Sequence, residues 1–335
     1  MTRPFLLCLL AAVAANALHA GAADLATDVA RSDGWVGWRV PLVGGARSPC
    51  CYVVRHDEPV EAGCDLDARG GNFGTSDRDP RHDTELAVYA HVVHGRIEDV
   101  RAVGASCPVR TEKPIRALDA VEPSRSIELL AAWATETRAA HADIDSALAA
   151  IAYHGDPAAT RALATLAEPA HTDEVRQQAL FWLARARGAE GAEIVERHAT
   201  TDADPDVREH AIFALSQASG VDAYARILAI SRSDRSDHVR SQALFWMAQM
   251  DDPRAAGDIA NALDTDASAD VREQAVFALS QLDGDRGEDA LIAILRGDYP
   301  RETKKQALFW LGQSGSARAL QLLDEVLAES AAPSR

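Results

Sequence analysis

From about residue 125 onward, apolar positions recur at helical spacing, and the recurrence itself repeats. Five segments align without a gap: Val175-Arg-Gln-Gln-Ala-Leu-Phe-Trp-Leu183, Val207-Arg-Glu-His-Ala-Ile-Phe-Ala-Leu215, Val239-Arg-Ser-Gln-Ala-Leu-Phe-Trp-Met247, Val271-Arg-Glu-Gln-Ala-Val-Phe-Ala-Leu279 and Thr303-Lys-Lys-Gln-Ala-Leu-Phe-Trp-Leu311. Each starts 32 residues after the one before. A degenerate sixth copy falls on Ile144 to Ile151, with Ala147 and Leu148 in the Ala-Leu columns. Between these segments a second apolar column steps by the same 32 residues: Leu163, Val195, Ile227, Ile259, Leu291 and Leu323. The two families predict two amphipathic helices per repeat. Breakers separate them at Gly155-Asp-Pro157, Gly188, Gly220, Asp252-Pro253, Asp283-Gly284 and Gly315. Thr172, Asp204, Ser236 and Ser268 are placed to cap the second helices, where a side-chain oxygen accepts from an orphan N–H of the first turn. Pro300 breaks that pattern in the last copy. One hairpin cannot bury its apolar face alone, but stacked hairpins can. The expectation is a mainly α chain, with an α-α solenoid or superhelix over residues 121–330 and a short tail at 331–335.

The stretch from 23 to 120 reads differently. Val36 to Val43, Cys51 to Arg55, Leu86 to His94 and Ile97 to Ala105 have strand composition, and His94-Gly95-Arg96 joins the last two as a hairpin. A turn-rich loop, Ala68 to Asp83, lies between. This predicts a small β-rich domain with too little core to stand without covalent help. Ser124 or Ser126 is expected to cap the first helix, Ile127 to about Arg138.

The N-terminus adds a compartment. Arg3, the apolar run Phe5 to Leu18 and the small residues Ala20-Gly21-Ala22 form the pattern of a cleaved signal peptide over residues 1–22. No later stretch is long and apolar enough to span a membrane. Export agrees with Cys50, Cys51, Cys64 and Cys107, an even set confined to the first third. Adjacent cysteines rarely bond to each other, so Cys50 and Cys51 are each expected to pair with Cys64 or Cys107, in either arrangement. The net charge of −17 repels phosphate backbones and argues against a nucleic-acid partner.

The pattern Asp-x-x-Val-Arg-x-x-Ala-x-x-Ala-Leu, seen from Asp204 to Leu215, resembles the short HEAT-like repeats of the phycobilisome-lyase type. The form with Gln-Ala-Leu-Phe-Trp-Leu resembles secreted bacterial HEAT-repeat proteins. The resemblance covers roughly residues 125–330. It implies a solenoid fold and says little about function, because such solenoids do many jobs.

Three columns are candidates for function. The basic column Arg176, Arg208, Arg240, Arg272 and Lys304 stands six residues after the acids Asp202, Asp234, Asp266 and Asp298 in its last four members. Matched opposite charges at a fixed offset point to a ladder joining copies rather than to a binding stripe. The Gln columns are Gln178, Gln242, Gln274 and Gln306, with His210 as the odd member, and, seven residues on, Gln217, Gln249, Gln281 and Gln313. Amides both donate and accept, so they suit an amide ladder or an uncharged strip for an extended polar chain. Trp182, Trp246 and Trp310 alternate with Ala214 and Ala278. Core interdigitation is the default, and partner anchoring the sharper option.

Signals for catalysis are weak. The chain has no adjacent His-Glu pair of the kind that resemblance to deoxyhypusine hydroxylase would require for a metal centre. Asp65-x-Asp67 is followed by Arg69 where a calcium loop needs oxygen. His56, Asp57, Glu58, Asp77, Asp79, His82 and Asp83 crowd turn-rich sequence and read as a solvated acidic loop. No nucleophile elbow, phosphate loop or dinucleotide fingerprint appears. The expectation is a periplasmic, monomeric scaffold or adaptor without cofactor or metal. It would bind a protein partner in the cell envelope through Gln178, Gln242, Gln249, Gln274, Gln281, Gln306 and Gln313, with Trp182, Trp246 and Trp310. The alternative is an enzyme, or a metal-dependent enzyme accessory, with its chemistry in the N-terminal domain.

Overall fold

The computed structural model describes residues 24–45, 47–55, 58–61, 63–68, 72–74, 81–136, 141–316 and 318–320. The expected signal peptide and the tail at 331–335 lie outside them. The chain divides into two compact units, Met1–Ala162 and Leu163–Arg335.

The first unit opens with α1 (Leu25–Ala30) and continues through β1 (Gly34–Pro41), β2 (Cys50–Arg55), β3 (Glu58–Glu61), β4 (Cys64–Asp65), β5 (Asn72–Gly74), β6 (Glu85–Val93), β7 (Arg96–Gly104), β8 (Val109–Arg110) and β9 (Ile115–Ala117). Two helices follow, α2 (Pro123–Ala134) and α3 (His141–Tyr153). The main sheet has the order β7-β6-β1-β9, antiparallel except for the parallel pair β1 and β9. The expected hairpin joins β6 to β7. His94 and Gly95 both have positive φ, 51° and 77°, which suits the tight turn that right-twisted strands favour.

Helices α2 and α3 pack together, and α3 packs on β7. The indole N–H of Trp133 donates to the Ile97 carbonyl at 3.0 Å. Ser126 does not cap α2. The helix starts earlier than its apolar pattern suggests, with Glu122 at the N-cap and Pro123 in the first turn, where its missing N–H costs nothing. Ser126 is instead fully buried. Its hydroxyl accepts from the Trp38 indole at 2.8 Å and lies 2.9 Å from His154 Nε2. His154 Nδ1 lies 2.7 Å from the Ala150 carbonyl, so Nδ1 carries the ring proton and Nε2 accepts from the serine.

Two bridges hold the smaller strands: Cys50–Cys107, separated by 57 residues, and Cys51–Cys64, separated by 13. Successive side chains on a strand point to opposite faces, so the neighbours Cys50 and Cys51 on β2 are offered different partners. Cys50, Cys64 and Cys107 are buried with Tyr52, Ala87 and Val103.

The second unit begins within α4 (Ala158–Leu166). It continues as α5 (Asp173–Ala186), α6 (Gly188–Thr201), α7 (Pro205–Ser216), α8 (Ala223–Ser233), α9 (Asp237–Gln249), α10 (Ala255–Thr265), α11 (Ala269–Ser280), α12 (Asp285–Arg296) and α13 (Arg301–Ser314). Even-numbered helices are first helices of the repeats and odd-numbered ones second helices. Val175, Val207, Val239 and Val271, and Ala179, Ala211, Ala243, Ala275 and Ala307, form the buried seam. Thr172 and Ser236 cap as expected, each accepting at 3.4 Å from the N–H three residues on. Asp204 accepts from Asp206 N–H at 2.9 Å. Ser268 occupies the N-cap of α11 without a capping bond, its hydroxyl donating instead to Asp237 at 3.4 Å. A Cβ at Gly191 would collide with the Leu183 carbonyl, so the start of α6 lies on the end of α5 at a distance only glycine allows. Second helices pack on one another more closely than first helices do. A stack bends toward its tighter side, which makes the second helices the inner wall.

The charged columns tie repeats together. Arg208 Nε and Nη2 donate to Asp234 at 2.9 and 3.1 Å, and Arg240 makes the same fork to Asp266 at 2.8 and 3.0 Å. Arg176 reaches Asp202 at 2.6 Å. Each partner acid belongs to the next repeat. The remaining guanidinium nitrogen turns back to the arginine's own repeat, Arg208 to the Asp202 carbonyl at 3.0 Å and Arg240 to the Asp234 carbonyl at 2.9 Å. Arg272 keeps the backward bond, to the Asp266 carbonyl at 2.7 Å. The acids also hold their own turns, as Asp234 accepts from Ser236 N–H and Asp266 from Ser268 N–H, both at 2.8 Å. Arg240 holds the Asp266 carboxyl below the usual carboxylate range. At Asp202 burial pushes the other way, but the Asp204 N–H, His198 and Arg176 together win. Arg176, Arg208 and Arg240 are thus committed to joining repeats rather than to a binding stripe.

Candidate functional site

The second helices carry a continuous run of aromatic rings. Phe181 stacks on Phe213 with centroids 5.8 Å apart, and Phe245 on Phe277 at 6.2 Å. Trp246 joins these pairs, 4.8 Å from Phe213 and 5.1 Å from Phe245. Trp310 repeats the move, 4.9 Å from Phe277 and 5.0 Å from Phe309. Trp182 closes the other end, 5.2 Å from Phe181. The alternation of Trp with Ala214 and Ala278 is what permits this: Trp246 and Trp310 each lean on the Phe of the repeat before, where the Trp column holds alanine. Trp182 is buried, Trp246 and Trp310 are half-buried, and Phe309 is 57% exposed. The Phe column was visible in the aligned segments as an unbroken 32-residue series, Phe181 to Phe309. It is masked there by the default that a phenylalanine at helical spacing is core.

Two openings lie along this run. One, of about 450 Å³, is lined by Phe213, Trp246, Gln242, His210, Asp206 and Glu209. The other, of about 520 Å³, is lined by Phe277, Phe309, Trp310, Gln274, Gln306 and the charged side chains Glu273, Glu302 and Lys305. The first Gln column therefore divides. Gln242, Gln274 and Gln306 are half-buried beside the aromatic rings at these openings, and Gln178 is half-buried in α5. The second column lines neither opening. Gln249 and Gln313 are exposed at the C-terminal ends of α9 and α13, and Gln281 caps α11 with its amide donating to Ser280 at 3.1 Å. The wall is also not the uncharged strip read from the amides. Carboxylates sit at both openings, and Lys305 is paired with Glu302 at 2.8 Å.

His210 replaces the column glutamine. Its ring bonds to the Gln177 backbone and packs edge-on to Phe213 at 5.4 Å, while its Nε2 is buried without a protein partner. Burial pushes its pKa below the ordinary histidine value, against the Gln177 bond.

In the first unit Asp65, Asp67 and Asp83 hold local structure. Asp67 accepts from Glu112 N–H at 2.7 Å, the Trp35 indole at 3.1 Å and the Thr111 hydroxyl at 2.8 Å, which together hold its carboxyl low. Asp65 accepts from Asp67 N–H at 3.0 Å, and Asp83 from the Ser106 N–H and hydroxyl at 3.2 and 3.0 Å. His56, Asp57, Asp77 and Asp79 lie outside the described residues. The sulfurs of Cys50, Cys64 and Cys107 lie within 4.8 Å of one another, but each belongs to a disulfide and offers no thiolate. Ser126 and His154 are both fully buried, and the serine already accepts from Trp38, so no substrate reaches this pair.

A profile for HEAT repeats matches residues 161–248 and 224–308. No curated protein matches the chain. Among solved structures, human deoxyhypusine hydroxylase in complex with glycerol is 20% identical over 56% of this chain and 73% of that one, with a TM-score of 0.31. The CpcE and CpcF complex of phycocyanin lyase from Nostoc sp. is 19% identical over 46% of this chain and 98% of that one, with a TM-score of 0.35. The chain is mainly α-helical, a solenoid of HEAT-like repeats with an N-terminal β-rich, disulfide-containing subdomain. Among the described residues no helix is long and apolar enough to cross a membrane.

Proposed function

We propose that this chain is an exported scaffold or adaptor that captures a polypeptide partner along the inner wall of its solenoid, and that it works by binding rather than by catalysis. The observation that carries the reading is the aromatic run from Trp182 to Phe309, which ends in a ring 57% exposed and is flanked by half-buried amides at two openings. Rings held by their neighbours lose little freedom on binding, which is what makes aromatic side chains good anchors. Export is supported by the sequence of residues 1–22 and by paired cysteines, which persist in oxidising compartments. A photo-crosslinking side chain placed at Phe309 in the native cell envelope should form an adduct with a polypeptide. The same probe at Arg232, exposed on the first helix α8, should not. Equal adducts at both positions, or none at Phe309, would overturn the reading. N-terminal sequencing of protein from the periplasmic fraction should begin near Ala23.

A further inference from the structure

The two openings share a chemistry that narrows the partner. At the first, the carboxylates Asp206 and Glu209, the latter also held by His238 at 2.7 Å, stand beside the amides Gln177 and Gln242, and no Lys or Arg among the described residues lines the opening. At the second, Glu273 and Glu302 are both exposed, and the single cation, Lys305, is already held by Glu302. With a net charge of −17 behind them, these sites favour a donor-rich, cationic guest.

The spacing of the wall narrows it further. Packed helices stand about 8–10 Å apart, so each repeat advances the wall by roughly that distance. A polyproline-II segment rises ~3.1 Å per residue and turns every three residues, about 9 Å per turn. One residue in three then meets the same place on each successive repeat. A β-strand, whose side chains return to one face after about 6.7 Å, drifts out of step with the wall. Polyproline-II backbone also makes no internal hydrogen bonds, leaving its carbonyls for the amides of Gln242, Gln274 and Gln306. We infer that the inner wall receives a basic polyproline-II segment of another protein, carrying Arg or Lys at about every third residue, its prolines against the Phe and Trp edges and its cations on Asp206, Glu209, Glu273 and Glu302. The inference rests on the binding reading above and specifies its partner.

The test uses the full oxidised chain and twelve-residue peptides, followed by tryptophan fluorescence and calorimetry. Arg-Pro-Pro repeated four times should bind saturably, and at least about tenfold more tightly than Glu-Pro-Pro or Arg-Gly-Gly repeats of the same length. Phe309→Ala and the double change Glu273→Gln with Glu302→Gln remove exposed groups, so both variants should keep their melting temperature. Each should nevertheless weaken the Arg-Pro-Pro peptide severalfold. Equal binding of Glu-Pro-Pro, equal binding of Arg-Gly-Gly, tighter binding of a basic amphipathic helical peptide, or unchanged affinity in both variants would each overturn the inference. If the Phe309 crosslink captures a polypeptide while the peptide series fails, the groove stands and only the partner's chemistry falls.

Discussion

Asp234→Ala isolates the device that joins the repeats. Arg208 is 1% exposed, and its fork to Asp234 at 2.9 and 3.1 Å lies between two side chains almost wholly removed from water. Removing the carboxylate leaves a buried guanidinium with only the Asp202 and Ala203 carbonyls, at 3.0 and 3.3 Å. It also strips Ser236 N–H of its acceptor. Breaking one side of a buried pair costs about 3–5 kcal/mol, because an uncompensated charge remains. A single domain has about 5–15 kcal/mol in total, so the variant should unfold far earlier in urea by circular dichroism at 222 nm. In a quasi-one-dimensional stack the damage falls on one junction, so the transition should also broaden or split. Arg208→Met combined with Asp234→Ala should lose less than the two singles summed, by at least ~1 kcal/mol, because neither charge is then left alone. The pair Arg254 and Asp222, 45% and 57% exposed, is the control, and Asp222→Asn should leave the urea midpoint nearly unchanged, because water screens an exposed pair. A loss below ~1 kcal/mol for Asp234→Ala, or strict additivity in the cycle, would refute the reasoning.

Three further outcomes follow from the same geometry. His210 has its pKa lowered in the fold, so the unfolded chain takes the proton first. Stability from this group is therefore full above about pH 6.5 and falls as the pH drops below that value. His210→Gln, which matches the rest of its column, should flatten the pH 5–7 stability profile relative to the parent, and identical slopes would contradict the assignment. Thiol titration of the denatured mature protein should find no free cysteine. Reduction should remove about 3 kcal/mol for the bridge spanning 13 residues and about 4 kcal/mol for the one spanning 57, loosening the β-rich subdomain while the helical signal persists. Trp246 is only half-buried, so Trp246→Ala should fall short of the ~3–5 kcal/mol of a fully enclosed indole, and Phe309→Ala should cost less than ~1 kcal/mol while still weakening partner capture.

Much of this architecture was legible along the chain. The 32-residue period, the helix pairs and the caps at Thr172, Asp204 and Ser236 are local: each depends on residues within a few turns of one another. The tight turn at His94-Gly95 is local too. Ser126 shows where such reading stops. As a serine near a helix start it reads as a cap, yet burial against Trp38 and His154, residues 88 and 28 positions away, claims its hydroxyl. The binding wall shows the same limit. The Gln columns share a helix face by periodicity, but only the first reaches the openings, because the second falls at helix ends.

The sequence by itself determined the alternating helix pairs of the second unit, the longer strands β1, β2, β6 and β7, and an even set of four cysteines, because propensity, periodicity and capping act over short spans, whereas α1 and the short strands β3, β4, β5, β8 and β9 carry no such local signal. Tertiary structure alone decided which partners meet. It sent Cys50 to Cys107 and Cys51 to Cys64 once β2 had turned their side chains to opposite faces. It aimed Arg208 forward to Asp234, 26 residues ahead, and not at the Asp202 carboxylate six residues behind, whose place is taken by the Asp202 carbonyl. It also joined five phenylalanines and three tryptophans, separate in sequence, into one run of rings. Contacts of this kind depend on how helices stack, and stacking is set by burial across repeats rather than by any residue's own preference.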